Sequence, residues 1–379
     1  MSETYFLYHS IGQYPGKARD LTAAMAEFAF CWGRPDDGQW AYALGTRAKF
    51  VDRWRAILNA APGSVTTFES VTQAFHSLLQ SLPAGHLRGR KVLVAADCFP
   101  SNHFLLQGMA ATHGFTLQTV PMRQGAAYVA DDDFLDAWGP GVGLALLTWV
   151  SSTSSHRIDL GRMVAHGRRM GSLIGVDITQ GAGLLPFDVA APEVDFAVST
   201  SLKWMCGTPG AGVLYLSPRL IPHCAPQLRG WFSQDNPFNW DISRFSYAPD
   251  IRRFESGTPG VMAALASLPA LDWHAAQDHG EMLAHNRRLT ARIIDAADFL
   301  GLPLQSPREE SRRGGSVMVR LPDRHPAAAV VAGLRAMGVT TDARGQVLRL
   351  SPGVMTTAAG TEKLIAALGT VLAGAGFPR

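Results

Sequence analysis

The fold is decided by residues 175–216, which read GVDITQGAGLLPFDVAAPEVDFAVSTSLKWMCGTPGAGVLYL. Three runs in or overlapping this stretch, 173–176, 196–198 and 212–216, are almost wholly apolar, which predicts strands covered on both faces. Asp177 directly follows the first run, so we expect it at the carboxyl edge of a sheet, where α/β proteins bind ligands. Lys203 follows the second run and precedes a glycine-rich turn.

Apolar runs and helix-like segments alternate upstream of this stretch as well. The predicted strands are Lys91–Ala95, Gly143–Leu147, Leu173–Val176, Phe196–Val198 and Gly212–Leu216, and the predicted helices between them include Phe104–His113 and Leu160–Met170. Strand, helix and strand in series predict an α/β fold with a mainly parallel central sheet and helices on both sides.

The chain beyond residue 255 has a different pattern, which predicts a smaller α+β unit. Its predicted elements are a long helical stretch at Val261–Leu300, a strand at Ser316–Leu321, a helix at Ala327–Met337, a strand at Leu348–Ser351 and a closing helix at Thr361–Ala373. We therefore predict a large domain at residues 40–250, and a small domain in which residues 1–39 pack with residues 251–379.

Composition indicates a folded soluble enzyme. Hydrophobic residues make up 47% of the 379 residues and charged residues 17%, which argues against disorder. The 34 basic residues are scattered among 31 acidic ones, so we expect no nucleic-acid partner. The N-terminus has no secretion signal and no run is long enough to span a membrane, so we expect a cytoplasmic protein with no membrane partner. The four cysteines lack paired spacing, so we expect no zinc or other metal.

The residues around Lys203 suit the chemistry of pyridoxal 5'-phosphate (PLP). This cofactor needs an amine for a Schiff base, a carboxylate that keeps its pyridine nitrogen protonated, and donors for its phosphate. Lys203, Asp177 and the hydroxyls that include Thr200 supply these three groups. The alternative, an ordinary surface lysine, is disfavoured by the preceding strand and by the nearby glycines, which let backbone approach a ligand closely.

Several ordered motifs resemble the class V aminotransferase superfamily of fold-type I PLP enzymes, and most of all the kynureninases. The matching segments are Asp177 with Gln180, Lys203 after a hydroxyl-rich strand end, GWFSQDNPFNWDI (230–242), RRFESGTPG (252–260) and GVTTDARGQVLRLSPG (338–353). The resemblance implies PLP as cofactor, a small-molecule amino-acid substrate and a homodimer with shared active sites.

The resemblance also implies roles for individual residues. Phe99 would stack on the pyridine ring, as a flat aromatic face allows, and Asn102 stands where the family usually has aspartate. Thr148 would lie near the cofactor, and Gln180 would contact its phenolic oxygen. Further implied contacts are Val65 and Thr66 as a phosphate-binding turn that opens a predicted helix, and Trp231 and Thr258 as phosphate contacts, at least one of them from the neighbouring subunit.

Arg349 is the implied ligand of the substrate carboxylate. It lies in the apolar run VLRLS, where a cation is costly unless it is paired. A guanidinium can bind a carboxylate through two parallel hydrogen bonds. A structural ion pair is the alternative explanation.

The chain departs from the kynureninase pattern at several positions. Leu202 replaces the tyrosine before the lysine, Ser151 and Ser152 replace an Asn-Tyr pair, and Gln180 replaces a histidine. No cysteine follows Cys224, which disfavours a persulfide-forming desulfurase, and we expect Cys206 to serve packing.

We therefore expect PLP-dependent cleavage of an L-amino acid at the β-carbon, by hydrolysis or elimination. The alternatives are a class V aminotransferase or an epimerase. A persulfide-free C–S lyase and a non-catalytic PLP-fold binding protein are less favoured.

Overall fold

The computed structural model describes residues 2–374. Its helices are α1 (Lys17–Trp32), α2 (Gln39–Ile57), α3 (Val71–Ser81), α4 (Pro100–His113), α5 (Asp131–Asp136), α6 (Leu160–Met170), α7 (Met262–Ala275), α8 (His279–Phe299), α9 (Ala327–Ala336) and α10 (Ala358–Ala373). Its strands are β1 (Val65–Phe68), β2 (Lys91–Ala95), β3 (Thr116–Val120), β4 (Val142–Thr148), β5 (Leu173–Asp177), β6 (Phe196–Thr200), β7 (Gly212–Leu216), β8 (Val317–Arg320), β9 (Asp342–Arg344) and β10 (Val347–Leu350).

The central sheet has seven strands in the order β1-β7-β6-β5-β4-β2-β3. The five strands from β6 to β3 run parallel, whereas β7 is antiparallel to both β6 and β1. Successive side chains of a strand point to opposite faces. Accordingly, Leu144 and Leu146 lie in one hydrophobic core while Ala145 and Leu147 lie in the other. The predicted α/β fold with a mainly parallel sheet is confirmed.

Two predicted elements differ in the structure. The helix predicted to open at Val65 is wrong there, because residues 65–68 form β1, paired antiparallel with β7. The run VTTF is rich in β-branched residues, which favour strands, and α3 begins only after Ser70. The stretch predicted as one long helix forms α7 and α8, and Asp278 caps the second by accepting from the Glu281 amide at 3.0 Å.

A second sheet, in the order β8-β10-β9, packs with α8, α9 and α10 around a separate core that also contains Phe6. Helices α1 and α7, which lie outside the predicted large domain, contact α2. Tyr14 stacks on Trp273 of α7, with ring centroids 5.1 Å apart. The division into a domain at 40–250 and one formed by 1–39 with 251–379 stays a prediction.

Residues 5–16, here called the N-terminal arm, connect the two sheets. Tyr5 pairs with Thr340 and Leu7 with Ser351 as isolated parallel bridges beside the small sheet. Farther along, the Gly12 amide donates to the Leu202 carbonyl at 3.0 Å. The arm therefore contacts both the small sheet and the turn that carries Lys203. Across residues 2–374, no helix combines the length and the apolar character needed to cross a membrane.

Candidate active site

A cavity of about 320 Å³ lies at the carboxyl ends of β4, β5 and β6, where Thr148, Asp177 and Thr200 end the strands. Parallel strands present these ends at one edge of the sheet, which is why the three side chains meet. The predicted residues that line the cavity are Phe99, Asn102, Thr148, Asp177, Gln180, Thr200 and Lys203.

Lys203 is half-buried and lines this cavity, and its Nζ lies 5.1 Å from the centroid of the Phe99 ring. Burial lowers the pKa of Lys203 from 10.5 to about 8, with Arg349 and Arg344 acting in the same direction and Asp177 opposing them. The neutral form of the amine is therefore accessible near neutral pH. A neutral amine is the nucleophilic form that a carbonyl cofactor requires.

Asp177 accepts one hydrogen bond on each carboxylate oxygen. Asn102 Nδ2 donates to Oδ2 at 2.9 Å, and the Thr179 amide donates to Oδ1 at 3.0 Å. Asn102 is fully buried in the first turn of α4. Its neutral amide orients the Asp177 carboxylate without adding a second negative charge. Asp177 is thus free to face a cationic group in the cavity.

Several polar atoms that belong to cavity-lining residues are buried without a protein partner. They are Thr148 Oγ1, Ser152 Oγ, Thr179 Oγ1 and Asn102 Oδ1. Buried polar groups in proteins are almost always hydrogen-bonded. A cluster of unsatisfied oxygens around one lysine therefore fits a polar ligand such as PLP.

The N-terminus of α3 lies at the cavity, whereas the residues predicted as the phosphate turn do not. Ser70, Val71 and Thr72 line the cavity, whereas Val65 and Thr66 do not, because they lie in β1. Amides of a first helical turn have no partner within the helix and favour anions.

The sequence contained a signal for this helix start. Ser70 and Gln73 form the S-x-x-Q pattern of a capped helix, and the Ser70 hydroxyl accepts from the Gln73 amide at 3.2 Å. Thr66 has a different role, since its Oγ1 accepts from Arg47 Nη2 at 3.2 Å. Arg47 also pairs with Glu255 at 3.0 Å.

Gln180 is held by two contacts outside the cavity. Its Nε2 donates to the backbone carbonyl of His9 at 3.1 Å, and its Oε1 accepts from Trp204 Nε1 at 3.4 Å. An amide nitrogen carries two protons, so one N–H of Gln180 is not used by His9. That proton is the group available to a ligand oxygen.

Arg349 lies outside the cavity lining and forms an ion pair with Asp342. Its Nε donates to Asp342 Oδ1 at 2.8 Å, and its Nη2 donates to Oδ2. The structure thus provides the ion pair that was the alternative explanation for a cation in this strand. Within residues 2–374, no protein acceptor binds Arg349 Nη1, so one end of the guanidinium stays available to a ligand.

Trp231 and Thr258 do not line the Lys203 cavity of their own chain. Thr258 lines a separate open cavity of about 740 Å³ together with Arg47 and His76. Trp231 stacks on the exposed Trp240, with ring centroids 6.0 Å apart. Their predicted contact with phosphate across a subunit boundary stays a prediction.

Cys206 is fully buried, and burial raises its pKa to about 12, so the thiol is protonated. Its Sγ donates to the Gln13 carbonyl at 3.3 Å, consistent with packing. Leu202 lines the cavity with an aliphatic side chain.

The sequence did not predict roles for His9 and Asp342. Asp342 lies in the DARG part of a recognised motif, but no pattern pointed to His9.

Comparisons with known proteins agree with this geometry. The family model "Aminotransferase class-V" matches residues 48–350. The kynureninase of Deinococcus radiodurans is 30% identical over 289 residues, covering 74% of this chain and 65% of that protein. The kynureninase of Xanthomonas euvesicatoria is 25% identical over 371 residues, covering 92% and 86%.

Solved structures show the same fold. A cysteine desulfurase from Thermococcus onnurineus superposes with a TM-score of 0.84 at 18% identity, covering 98% of this chain and 94% of that chain. A cystine C–S lyase in complex with cysteine persulfide superposes with a TM-score of 0.83 at 20% identity, covering 97% of each chain. The predicted fold type I architecture and PLP as cofactor are confirmed.

We expect the capture of PLP by the cofactor-free protein to rise with pH around a midpoint near 8. Below this pH Lys203 is protonated, and above it the amine is neutral. The measurement is borohydride reduction at each pH, followed by mass spectrometry of the labelled peptide. Asp177→Asn should move the midpoint to lower pH, because the Asp177 carboxylate raises the pKa of Lys203. Lys203→Ala should give no labelled peptide, and label on another lysine would contradict the assignment.

Proposed function

Because the chain belongs to the class V aminotransferase family of PLP-dependent enzymes, we propose that it cleaves an L-amino acid at the β-carbon by hydrolysis or elimination. The observation that carries this proposal is the likeness to kynureninases, which extends over 92% of the chain for the Xanthomonas protein. The half-buried lysine, the carboxylate and the free end of Arg349 supply groups that such a reaction needs.

The cofactor, when held in this cavity, would supply an electron sink for the α-carbon of a bound amino acid. Phe99 would cover one face of its ring, and Asp177 would hold the pyridine N–H. The first turn of α3 and the Thr200 hydroxyl would bind its phosphate, and the free N–H of Gln180 its phenolic oxygen. Thr148 would offer its unpartnered hydroxyl nearby.

Lys203 would act as the base that removes the substrate's α-proton. A pKa of about 8 lets the amine hold or release a proton near neutral pH. Arg349 would fix the substrate by its α-carboxylate, which sets the orientation of the bond to be broken. Removal of the α-proton by Lys203 is common to cleavage, transamination and epimerisation, so product analysis distinguishes them.

Kynurenine is a poor candidate for the substrate. Leu202 lines the cavity where kynureninases have a tyrosine, and an aliphatic side chain donates no hydrogen bond. Ser152 also lines it with a hydroxyl shorter than the phenol that it replaces. Elimination, which needs no attacking water, is favoured over hydrolysis by this loss of donors.

We expect the purified holoenzyme to release a side-chain fragment from an L-amino acid while hydrolysing L-kynurenine weakly or not at all. Mass spectrometry of reactions with a panel of L-amino acids identifies the products. Formation of a 2-oxo acid with conversion of the cofactor to its amine form would instead indicate an aminotransferase. Loss of optical activity without any fragment would indicate an epimerase. Rapid release of anthranilate from L-kynurenine would contradict the substrate argument.

We also propose that the chain forms a homodimer with the active sites at the subunit boundary. The support is the exposed aromatic segment around Trp231 and Trp240, which lies outside its own chain's Lys203 cavity. Sedimentation velocity should give twice the mass of one chain. Trp231→Ala should weaken retention of PLP if the partner's segment reaches the phosphate, and an active monomer would contradict the proposal.

The Arg349 guanidinium tests the amino-acid substrate class. Arg349→Lys keeps the charge but loses the two-point geometry, so kcat/KM for the substrate should fall. Arg349→Ala should cost more, about 2–5 kcal/mol by analogy with truncation of a buried charge pair. The matched control is an amine that lacks the carboxylate, for which binding should change little. A folded Arg349→Ala enzyme with unchanged kcat/KM would place the carboxylate elsewhere, with Arg344 the next candidate.

A further inference from the structure

We propose that His9, in the N-terminal arm, is a positioning residue that holds Arg349 in the orientation needed to bind the substrate's α-carboxylate, acting through Asp342. This inference rests on the proposed function, because it assumes that Arg349 binds the substrate. His9 is separated from Asp342 by more than 300 residues of sequence, and the fold brings the two side chains together.

Asp342 binds both side chains at once. Its Oδ1 accepts from His9 Nε2 at 3.0 Å and from Arg349 Nε at 2.8 Å, and its Oδ2 accepts from Arg349 Nη2. Burial alone would raise the pKa of Asp342, but the hydrogen bonds and charges of these two partners lower it to about 2. The carboxylate is therefore ionised, and it occupies the Nε side of the guanidinium.

The ionised Asp342 carboxylate can only accept, so it requires the proton of a neutral His9 ring on Nε2, and the hydroxyl chain behind the ring fits that tautomer. Ser316 Oγ lies 2.6 Å from Ser351 Oγ, which lies 2.6 Å from His9 Nδ1. If Nε2 carries the proton that Asp342 accepts, Ser351 donates to Nδ1 and Ser316 donates to Ser351. Burial lowers the pKa of His9, which favours the neutral ring that this arrangement requires. The imidazole is thus a fixed donor toward Asp342.

A fixed donor matters because Asp342 has a second cation nearby. Arg344, an exposed residue of the same strand, interacts electrostatically with both Asp342 and Arg349. The Asp342 side chain keeps 32% of its surface exposed, so burial alone does not hold its rotamer. With His9 on Oδ1, the carboxylate stays on Arg349, and the Nη1 end of that guanidinium is left for a ligand.

The backbone of His9 also contacts Gln180, which lines the Lys203 cavity. Its carbonyl accepts from Gln180 Nε2 at 3.1 Å, and this contact needs no particular side chain at position 9. Substitution of His9 therefore separates the two roles: the Gln180 contact should survive, whereas the contact with Asp342 should not. This separation makes the proposal testable at one residue.

The test compares His9→Ala, His9→Gln and His9→Asn in the holoenzyme. The amide nitrogen of glutamine reaches as far as Nε2 and can still donate to Asp342, whereas that of asparagine ends near the position of Nδ1. Each variant is titrated with L-alanine and with ethylamine, which is the same molecule without its carboxylate. Binding is read from the absorption spectrum of the cofactor, and circular dichroism and thermal melting check the fold.

We expect His9→Ala to weaken L-alanine binding about tenfold, the effect of losing one hydrogen bond to a charged group, and to change ethylamine binding less than about twofold. His9→Gln should recover most of the loss and His9→Asn little of it. Arg349→Ala serves as the reference for complete loss of the carboxylate contact.

Unchanged L-alanine binding in a folded His9→Ala protein would overturn the inference, as would equal weakening for both probes, which indicates general damage. Recovery by asparagine equal to that by glutamine would do the same. If His9→Ala does not fold, the Gln and Asn pair decides alone. A wild-type protein that binds L-alanine but cleaves no amino acid contradicts the proposed function and leaves the His9 comparison readable. A wild-type protein that binds neither L-alanine nor ethylamine contradicts both the proposed function and the proposed role of His9.

Discussion

The burial of one amine at the carboxyl edge of a parallel sheet is the constraint on which the site depends. A lysine removed from water is costly as a cation, and this cost lowers the pKa of Lys203 to about 8. Asp177 opposes the shift, since its negative charge lies close to the amine. The balance between desolvation and one carboxylate keeps the amine reactive without leaving a fully charged group unpaired.

The N-terminal arm packs against the turn that carries Lys203, at a position that only glycine can occupy. A Cβ at Gly12 would lie 1.8 Å from the Lys203 carbonyl oxygen, which is far inside contact distance. Lys17 Nζ donates to the carbonyls of Gly12 at 2.7 Å and Gly207 at 3.1 Å, which fastens the arm to the turn after Lys203. Because the same arm carries His9, one segment contacts both the turn that holds Lys203 and the Asp342 partner of Arg349.

The sequence predicted the central strands and Lys203 because both depend on local pattern. Buried parallel strands are continuous apolar runs, and a lysine in a hydroxyl- and glycine-rich turn after such a run is distinctive. The helix start predicted from the sequence is too early because it includes VTTF, which forms β1. Ser70 and Gln73 mark the true beginning of α3. The domain boundaries stay a prediction, since they depend on packing between helices far apart in sequence.

The contact between His9 and Asp342 could not be predicted from the sequence, for a different reason. A histidine in a short N-terminal segment has no periodicity or motif that assigns a partner, and its role appears only when the arm is placed beside β9 and β10. Arg349 was predicted from its cost in an apolar strand, but that argument could not distinguish a substrate from Asp342 as its partner. The structure shows the ion pair with Asp342, which among residues 2–374 leaves Nη1 without a protein partner, so binding of a substrate carboxylate stays a prediction.

Under the proposed function, the departures from the kynureninase pattern would act on reaction choice and would leave cofactor binding intact. Lys203, Asp177 and the α3 N-terminus surround the cavity whatever bond is broken afterwards. Hydrolysis at a side-chain carbonyl needs a donor for the developing oxyanion, and Leu202 has none. The unpartnered hydroxyl of Ser152 is buried at the same cavity, but a serine reaches less far than a phenol. If Lys203 is the α-proton base, as proposed, a cavity that lacks donors near the substrate's side chain would suit a leaving group that departs without attack by water.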